Sequence, residues 1–349
     1  MLFDPEPKRS RRDFFNMDDA LADFMDSVSS DKLILVTGLR RYGKTSLILT
    51  GLNEAGVEYV FIDCRLLPSG MISIREFLKL LHRELRSHSW ARRILDKIAY
   101  IDIHGLSIRI SRLHDVIIDV LEALGDRVLV LDEVQELRRS TYRFDSLLAY
   151  LYDHTRVRVV VSGSQVGMLY RFLRVNDPSA PLYGRPYHEV RVPRLSEEQA
   201  REFLELGFNE YGLKPDERVI DEAVKAFDGI VGWLTFFGYT YSRDRRSVRE
   251  VLDYASSLAA SEVMKALEVH GVAVPRYTEA LRVVASLGKA RWSDILRGVT
   301  MRLGRIPRNR LSSIIRDLVD MGLLEKTREG YYSVPDPIVR HAILHKVRV

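Results

Sequence analysis

The run Gly38-Leu39-Arg40-Arg41-Tyr42-Gly43-Lys44-Thr45-Ser46 combines the residue types that hold a polyphosphate. Glycine at 38 and 43 lets the backbone bend so that successive N–H groups converge on phosphate oxygens. Lys44 can bridge the β- and γ-phosphates, and the Thr45 hydroxyl can ligate Mg²⁺. Arg41 and Ser46 belong to the same nucleotide-binding run. Side chains inside such loops often point outward, so Arg40 and Arg41 also fit a surface or inter-domain contact. The context separates the motif from a chance Gly-Lys-Thr: apolar Leu33-Ile34-Leu35-Val36 precedes it, and an apolar helical run follows whose N-terminus adds a positive end.

A second set follows the apolar run Val128-Leu129-Val130-Leu131, which ends in Asp132-Glu133. A carboxylate at the end of a buried strand can reach the metal at the mouth of a phosphate loop. Asp132 fits that place. Glu133 is placed to orient or deprotonate the water that attacks the γ-phosphate. Val157 to Val161 ends in Ser162-Gly163-Ser164, where Ser164 or Ser162 either senses the γ-phosphate or caps the helix that begins near Val166. Transfer to water also needs a cation against charge on the moving phosphoryl group. Arg185 is a candidate, with a plain surface role as the alternative.

These residues need a scaffold of strands alternating with helices. Strands are expected at Lys32 to Thr37, Glu58 to Asp63, Arg127 to Leu131 and Val157 to Val161, with helices over Lys44 to Leu52, Ser73 to Ser87, Leu113 to Leu124 and Ser146 to Asp153. That alternation predicts a parallel sheet covered on both faces. Alternation over Ile101 to Ile110 suggests a hairpin. A polar, basic arm, 1–15, comes first, and an amphipathic helix from Asp18 to Val28 opens the sheet domain, 16–193. Strand signals then stop. Ser196 to Gln199 fits a capping box, Pro215 a helix start and Gly229 a helix end, so 194–270 reads as a helical lid. Gly271 to Pro275 is the expected linker. In 271–349, three helices (Tyr277 to Leu287, Ser293 to Val299, Pro307 to Met321) precede a hairpin turning at Arg328-Glu329-Gly330, the layout of a winged helix-turn-helix.

Composition narrows the partners. The 349 residues carry a net charge of +5. Tyr277 to Val349 holds 14 Lys and Arg against 7 Asp and Glu, or +7, which leaves −2 for the rest. Arg308, Arg310 and Arg316 lie along the third helix of that basic module, and Lys326 and Arg328 flank its turn. Such a helix can enter a DNA major groove while the wing touches phosphate. A solvated basic face, or a protein-contact or self-association role, is the alternative. One cysteine, Cys64, excludes an internal disulfide and suggests a cytoplasmic protein. No apolar run has the length of a membrane span, and the N-terminus lacks a signal-peptide layout.

Taken together, Gly38 to Leu47, Leu131-Asp132-Glu133-Val134-Gln135, Val161-Ser162-Gly163-Ser164 and Pro181-Leu182-Tyr183-Gly184-Arg185 resemble the archaeal branch of the AAA+-like P-loop ATPases, related to the origin-recognition and STAND groups. Asp4 to Phe15 resembles that family's lead-in. The resemblance implies an AAA+-like sheet, a helical lid, ATP or ADP as ligand and Mg²⁺ as its metal. Two stretches depart from it. Asp228-Gly229-Ile230-Val231 stands where Gly-Gly-x-Pro is usual, and Asn16-Met17-Asp18-Asp19 stands where Arg-Glu is usual. The expected function is an ATP-hydrolysing switch coupled to a winged helix that binds DNA. The alternative is a DNA-binding or protein-binding regulator that holds ATP with little turnover. A small-molecule phosphotransferase is disfavoured, because the C-terminal half shows no acceptor pocket.

Overall fold

The computed structural model describes residues 1–96 and 110–347. The hairpin expected at Ile101 to Ile110 falls outside them, apart from its last residue, which opens a helix.

Five parallel strands form the central sheet in the order β2-β3-β4-β1-β5. They are β1 (Leu33–Thr37), β2 (Tyr59–Asp63), β3 (Val128–Asp132), β4 (Arg158–Gly163) and β5 (His188–Arg191). Every residue of β1 and β3 is buried, as their unbroken apolar runs require of strands covered on both faces. Alternate residues of β1 supply two separate cores. Leu33 and Leu35 face one with helices α3 (Ile74–Leu85), α4 (Ile110–Glu122), α5 (Phe144–His154) and α6 (Val166–Leu173). Ile34 and Val36 face the other with α1 (Asp18–Ser30) and α2 (Lys44–Glu54). β5 has one fully buried residue, Val190, and no apolar run, so it escapes sequence reading.

The second core continues into the helices beyond the sheet: α7 (Glu197–Glu210), α8 (Glu217–Phe227), α9 (Val231–Asp244) and α10 (Val248–Leu267). Ser196 caps α7 in a capping box with Gln199, as expected. Gly229 (φ 68°) ends α8, and a Cβ there would meet the Leu195 carbonyl oxygen at 2.0 Å.

The N-terminal segment corrects the expectation of a polar arm. Phe3 is wholly buried, its ring 4.9 Å from that of Phe208 and 5.7 Å from that of Phe203. Gly207 and Gly238 make room for it, since Cβ atoms there would fall 2.2 and 2.4 Å from the ring. The arm then crosses α2, where Asn53 Nδ2 donates to the Arg9 carbonyl at 2.7 Å and Lys8 N donates to Ser46 Oγ at 3.0 Å.

The expected linker at Gly271 to Pro275 is instead a tight turn, Glu268–Ala273, kinked at Gly271 and running directly into α11 (Val274–Leu287). Next come β6 (Lys289–Ala290), α12 (Trp292–Leu303), α13 (Arg308–Asp320), β7 (Glu325–Lys326) and β8 (Tyr332–Ser333). The three short strands pair antiparallel in the order β6-β8-β7 around a third core. A last helix that the sequence reading missed, α14 (Pro337–His345), inserts Ile338 and Ala342 into the second core and Ile343 into the third. Among the described residues, no helix is long and apolar enough to cross a membrane.

Candidate functional site

The loop between β1 and α2 has the conformation its glycines permit. Gly38 (φ 149°) packs so closely that a Cβ would meet the Val192 carbonyl oxygen at 2.9 Å, and Gly43 (φ 90°) precedes the first turn of α2. Lys44 is buried, and its Nζ donates to the carbonyls of Gly38 (2.8 Å) and Leu39 (3.0 Å). Burial pushes its pKa down, while the charges of Glu133 and Asp132 oppose that shift.

Because β4 lies between β1 and β3, the carboxylates at the end of β3 face both the loop and Ser162 and Ser164. Thr45 Oγ1 donates to Asp132 Oδ2 at 2.9 Å, and the Ser162 hydroxyl donates to Asp132 Oδ1. Burial raises the Asp132 pKa against those two hydrogen bonds. Glu133 sits in the left-handed region (φ 53°, ψ 46°) at the sharp turn out of β3. Its Oε2 accepts from Ser164 Oγ (2.8 Å), Ser164 N (3.1 Å) and Gln135 Nε2 (2.5 Å). Burial alone would raise its pKa, but the Lys44 charge and the donors from Gln135 and Ser164 hold it below the ordinary value. Neither Ser162 nor Ser164 caps the following helix: both hydroxyls are turned toward the carboxylates.

A cavity of about 520 Å³ opens over the loop, within the size range of ligand sites. Lys44, Thr45, Ser46 and Glu133 line its floor. Pro5, Pro7 and Phe15 of the N-terminal segment line one wall, and Val231, Phe236 and Tyr239 of α9 line another. Sequence reasoning missed these walls. The signals in the sequence were the resemblance of Asp4 to Phe15 to the family's lead-in and the place of Val231 where Gly-Gly-x-Pro is usual.

Arg41 lines the same cavity and reaches across to α9 and α10. Its guanidinium holds Glu262 of α10 through two hydrogen bonds (2.7 and 2.9 Å) and stacks on Trp233 of α9. The lid approaches so closely that a Cβ on Gly232 would lie 2.6 Å from Arg41 Cβ. Arg40 reaches the same glutamate at 3.4 Å.

Arg185 is not brought to this site, and its candidacy for this chain's own phosphates is corrected. It precedes β5, which runs parallel to β1 with His188 beside Ile34, so it lies at the opposite end of the sheet from the loop. At about 3.3 Å per residue the separation is roughly 20 Å. There it pairs with Asp153. Arg308, Arg310, Arg316, Lys326 and Arg328 are all exposed. On the other end of α13, Asp317 and Asp320 are bound to Arg171 of α6. Among the described residues, no cluster of three or more His, Cys, Asp or Glu is arranged to hold a metal.

Residues 26–171 match the AAA domain family. Over its whole length the chain is similar to the Walker-type ATPase PABY2304 of Pyrococcus abyssi, with 31% identity, 98% of this chain and 99% of that one covered, and a TM-score of 0.84. The chain belongs to this family of AAA-type Walker ATPases. The ORC2 protein of Aeropyrum pernix, solved in ADPNP and ADP complexes, shares the fold at 12% identity and a TM-score of 0.60, with 97% of each chain covered. No curated protein matches the chain in sequence. AAA ATPases use a nucleotide, typically with Mg²⁺.

Proposed function

We propose that this ATPase is a nucleotide-driven switch that hydrolyses ATP with Mg²⁺ and relays its nucleotide state to a C-terminal winged helix that contacts double-stranded DNA. The units assigned are an arm (1–15), an ATPase domain (16–193), a helical lid (194–270) and the winged helix (271–349). The donor set suits Mg²⁺, which takes hard oxygens and usually keeps one or two carboxylates plus substrate phosphates. Thr45 and Asp132 would hold it, and when bound it would neutralise charge on the β- and γ-phosphates. Gly38, Gly43 and Ser46 frame the phosphate tail, Lys44 supplies its counter-charge, Ser164 faces the γ-phosphate and Glu133 accepts the proton of the attacking water.

One junction carries the switch reading. The phosphate loop, the lid and the C-terminal module meet directly at Arg41, Trp233 and Asp336. Arg41 stacks on Trp233, whose indole Nε1 donates to Asp336 Oδ2 at 3.0 Å, and Asp336 in turn caps α14 through the N–H groups of Ile338 and Val339. Beside it, Gly322 packs against Leu39 of the loop and the Ser164 carbonyl. A ligand that reorders the loop therefore acts on the module directly through Leu39 and Gly322, and through Trp233 from Arg41.

A second reading, ATP held with little turnover, draws on Arg185, which leaves this chain's own site without that arginine. Calorimetry of MgATP binding to the parent and Lys44→Ala, paired with duplex-DNA titrations with and without ATP, tests the switch. Nucleotide that binds through Lys44 and changes DNA affinity supports it. DNA affinity indifferent to bound nucleotide removes the coupling.

A further inference from the structure

Gln135 is buried at 6% exposure in the turn after β3, yet among the described residues its side chain bonds no backbone group. Its Nε2 donates to Glu133 Oε2, and its Oε1 has no partner among the described residues. The amide fits because residue 163 is glycine, where a Cβ would stand 2.7 Å from Gln135 Oε1. A leucine would fill the same slot without burying an unsatisfied carbonyl, so the polar group costs stability where it stands.

Its position explains that cost. Gln135 and Ser164 together place three donors on Glu133 Oε2, while among the described residues none reaches Oε1. Glu133 also lines the cavity over the phosphate loop. Saturating one oxygen fixes the rotation of the carboxylate and leaves the other as its basic edge.

We propose that Gln135 is a positioning residue that, with Ser164, orients Glu133 so that Oε1 faces the attacking water. The proposal rests on the reading of Glu133 as the proton acceptor. In that step the water oxygen bonds to the γ-phosphorus and its proton passes to Oε1. The bond to the ADP oxygen breaks, leaving its electron pair on ADP. Gln135 touches neither water nor phosphate and acts only through Glu133.

The test measures MgATP affinity by calorimetry and kcat for the parent, Lys44→Ala, Gln135→Leu and Gly163→Ala. Gln135→Leu removes one of the three donors that fix the carboxylate, and is expected to keep its MgATP affinity within about twofold and to lose about tenfold in kcat. Gly163→Ala keeps the amide but closes its slot, and is expected to show the same split, with affinity kept and kcat lowered. It decides the matter should Gln135→Leu fail to fold. Parent turnover that depends on Lys44, with kcat unchanged in the folded variants or lost only together with MgATP affinity, overturns the role of Gln135 alone. A parent no faster than Lys44→Ala overturns the hydrolytic reading, and this proposal with it.

Discussion

The guanidinium carbon of Arg41 lies 3.9 Å above the Trp233 ring, which fastens the β1–α2 loop to helix α9 packed against it. The same group pairs with Glu262, so one loop side chain grips α9 and α10 together. A cation–π contact with charged hydrogen bonds in a half-buried place gives an expected loss of about 1–3 kcal/mol for Arg41→Ala. The pairing also has a pH signature. Burial would raise the Glu262 carboxyl, but the hydrogen bond and charge of Arg41 hold it below its ordinary value of 4.5. A lowered native pKa means that the stabilisation is complete above the ordinary value and fades as pH falls through the native one. Thermal melts of the parent and Glu262→Gln should therefore differ most at neutral pH and converge below about pH 4.5.

Phe3 is expected to act as the anchor of the arm. Truncating a fully buried phenylalanine costs about 3–5 kcal/mol. The N-terminal segment also lines the cavity over Lys44 through Pro5, Pro7 and Lys8. Phe3→Ala should lower the melting temperature and weaken MgATP binding together. A stability loss with unchanged nucleotide affinity would mean that the arm braces the lid without shaping the cavity.

Duplex DNA binding through α13 and its neighbouring turn should show the salt dependence of phosphate contacts, with log affinity falling linearly in log salt. Replacing Arg308 and Arg310 with alanine should weaken binding and flatten that slope by about one for each phosphate the protein no longer neutralises. Fluorescence anisotropy at several salt concentrations measures both. Binding that is absent or insensitive to salt would exclude this surface.

The parts of the site legible in the sequence are those made by neighbours along the chain. Gly38 to Ser46 and Asp132-Glu133 each follow an apolar strand, so a single window contains both the scaffold and the functional group. The arm is illegible because its reason lies about 200 residues away: Phe3 needs Gly207 and Gly238, and nothing near Phe3 announces either. Arg185 misleads for a related cause, since its place depends on which end of the sheet β5 enters, and β5 has too few apolar residues to be seen. Asp317 and Asp320, out of place on a basic helix, make sense only once Arg171 of α6 is brought against them. Gln135 stands in the run after Asp132-Glu133 with no task legible there, because its partner is fixed by the left-handed turn at Glu133 and the missing side chain of Gly163.

Phosphate release from MgATP by purified parent, Lys44→Ala and Glu133→Gln decides whether Lys44, Thr45, Asp132 and Glu133 act as one hydrolytic centre. The parent is expected to turn over steadily and Lys44→Ala to stay at background. Glu133→Gln is expected to bind MgATP with turnover lowered about 100-fold or more. A parent that releases phosphate no faster than Lys44→Ala would show that these four residues do not form such a centre.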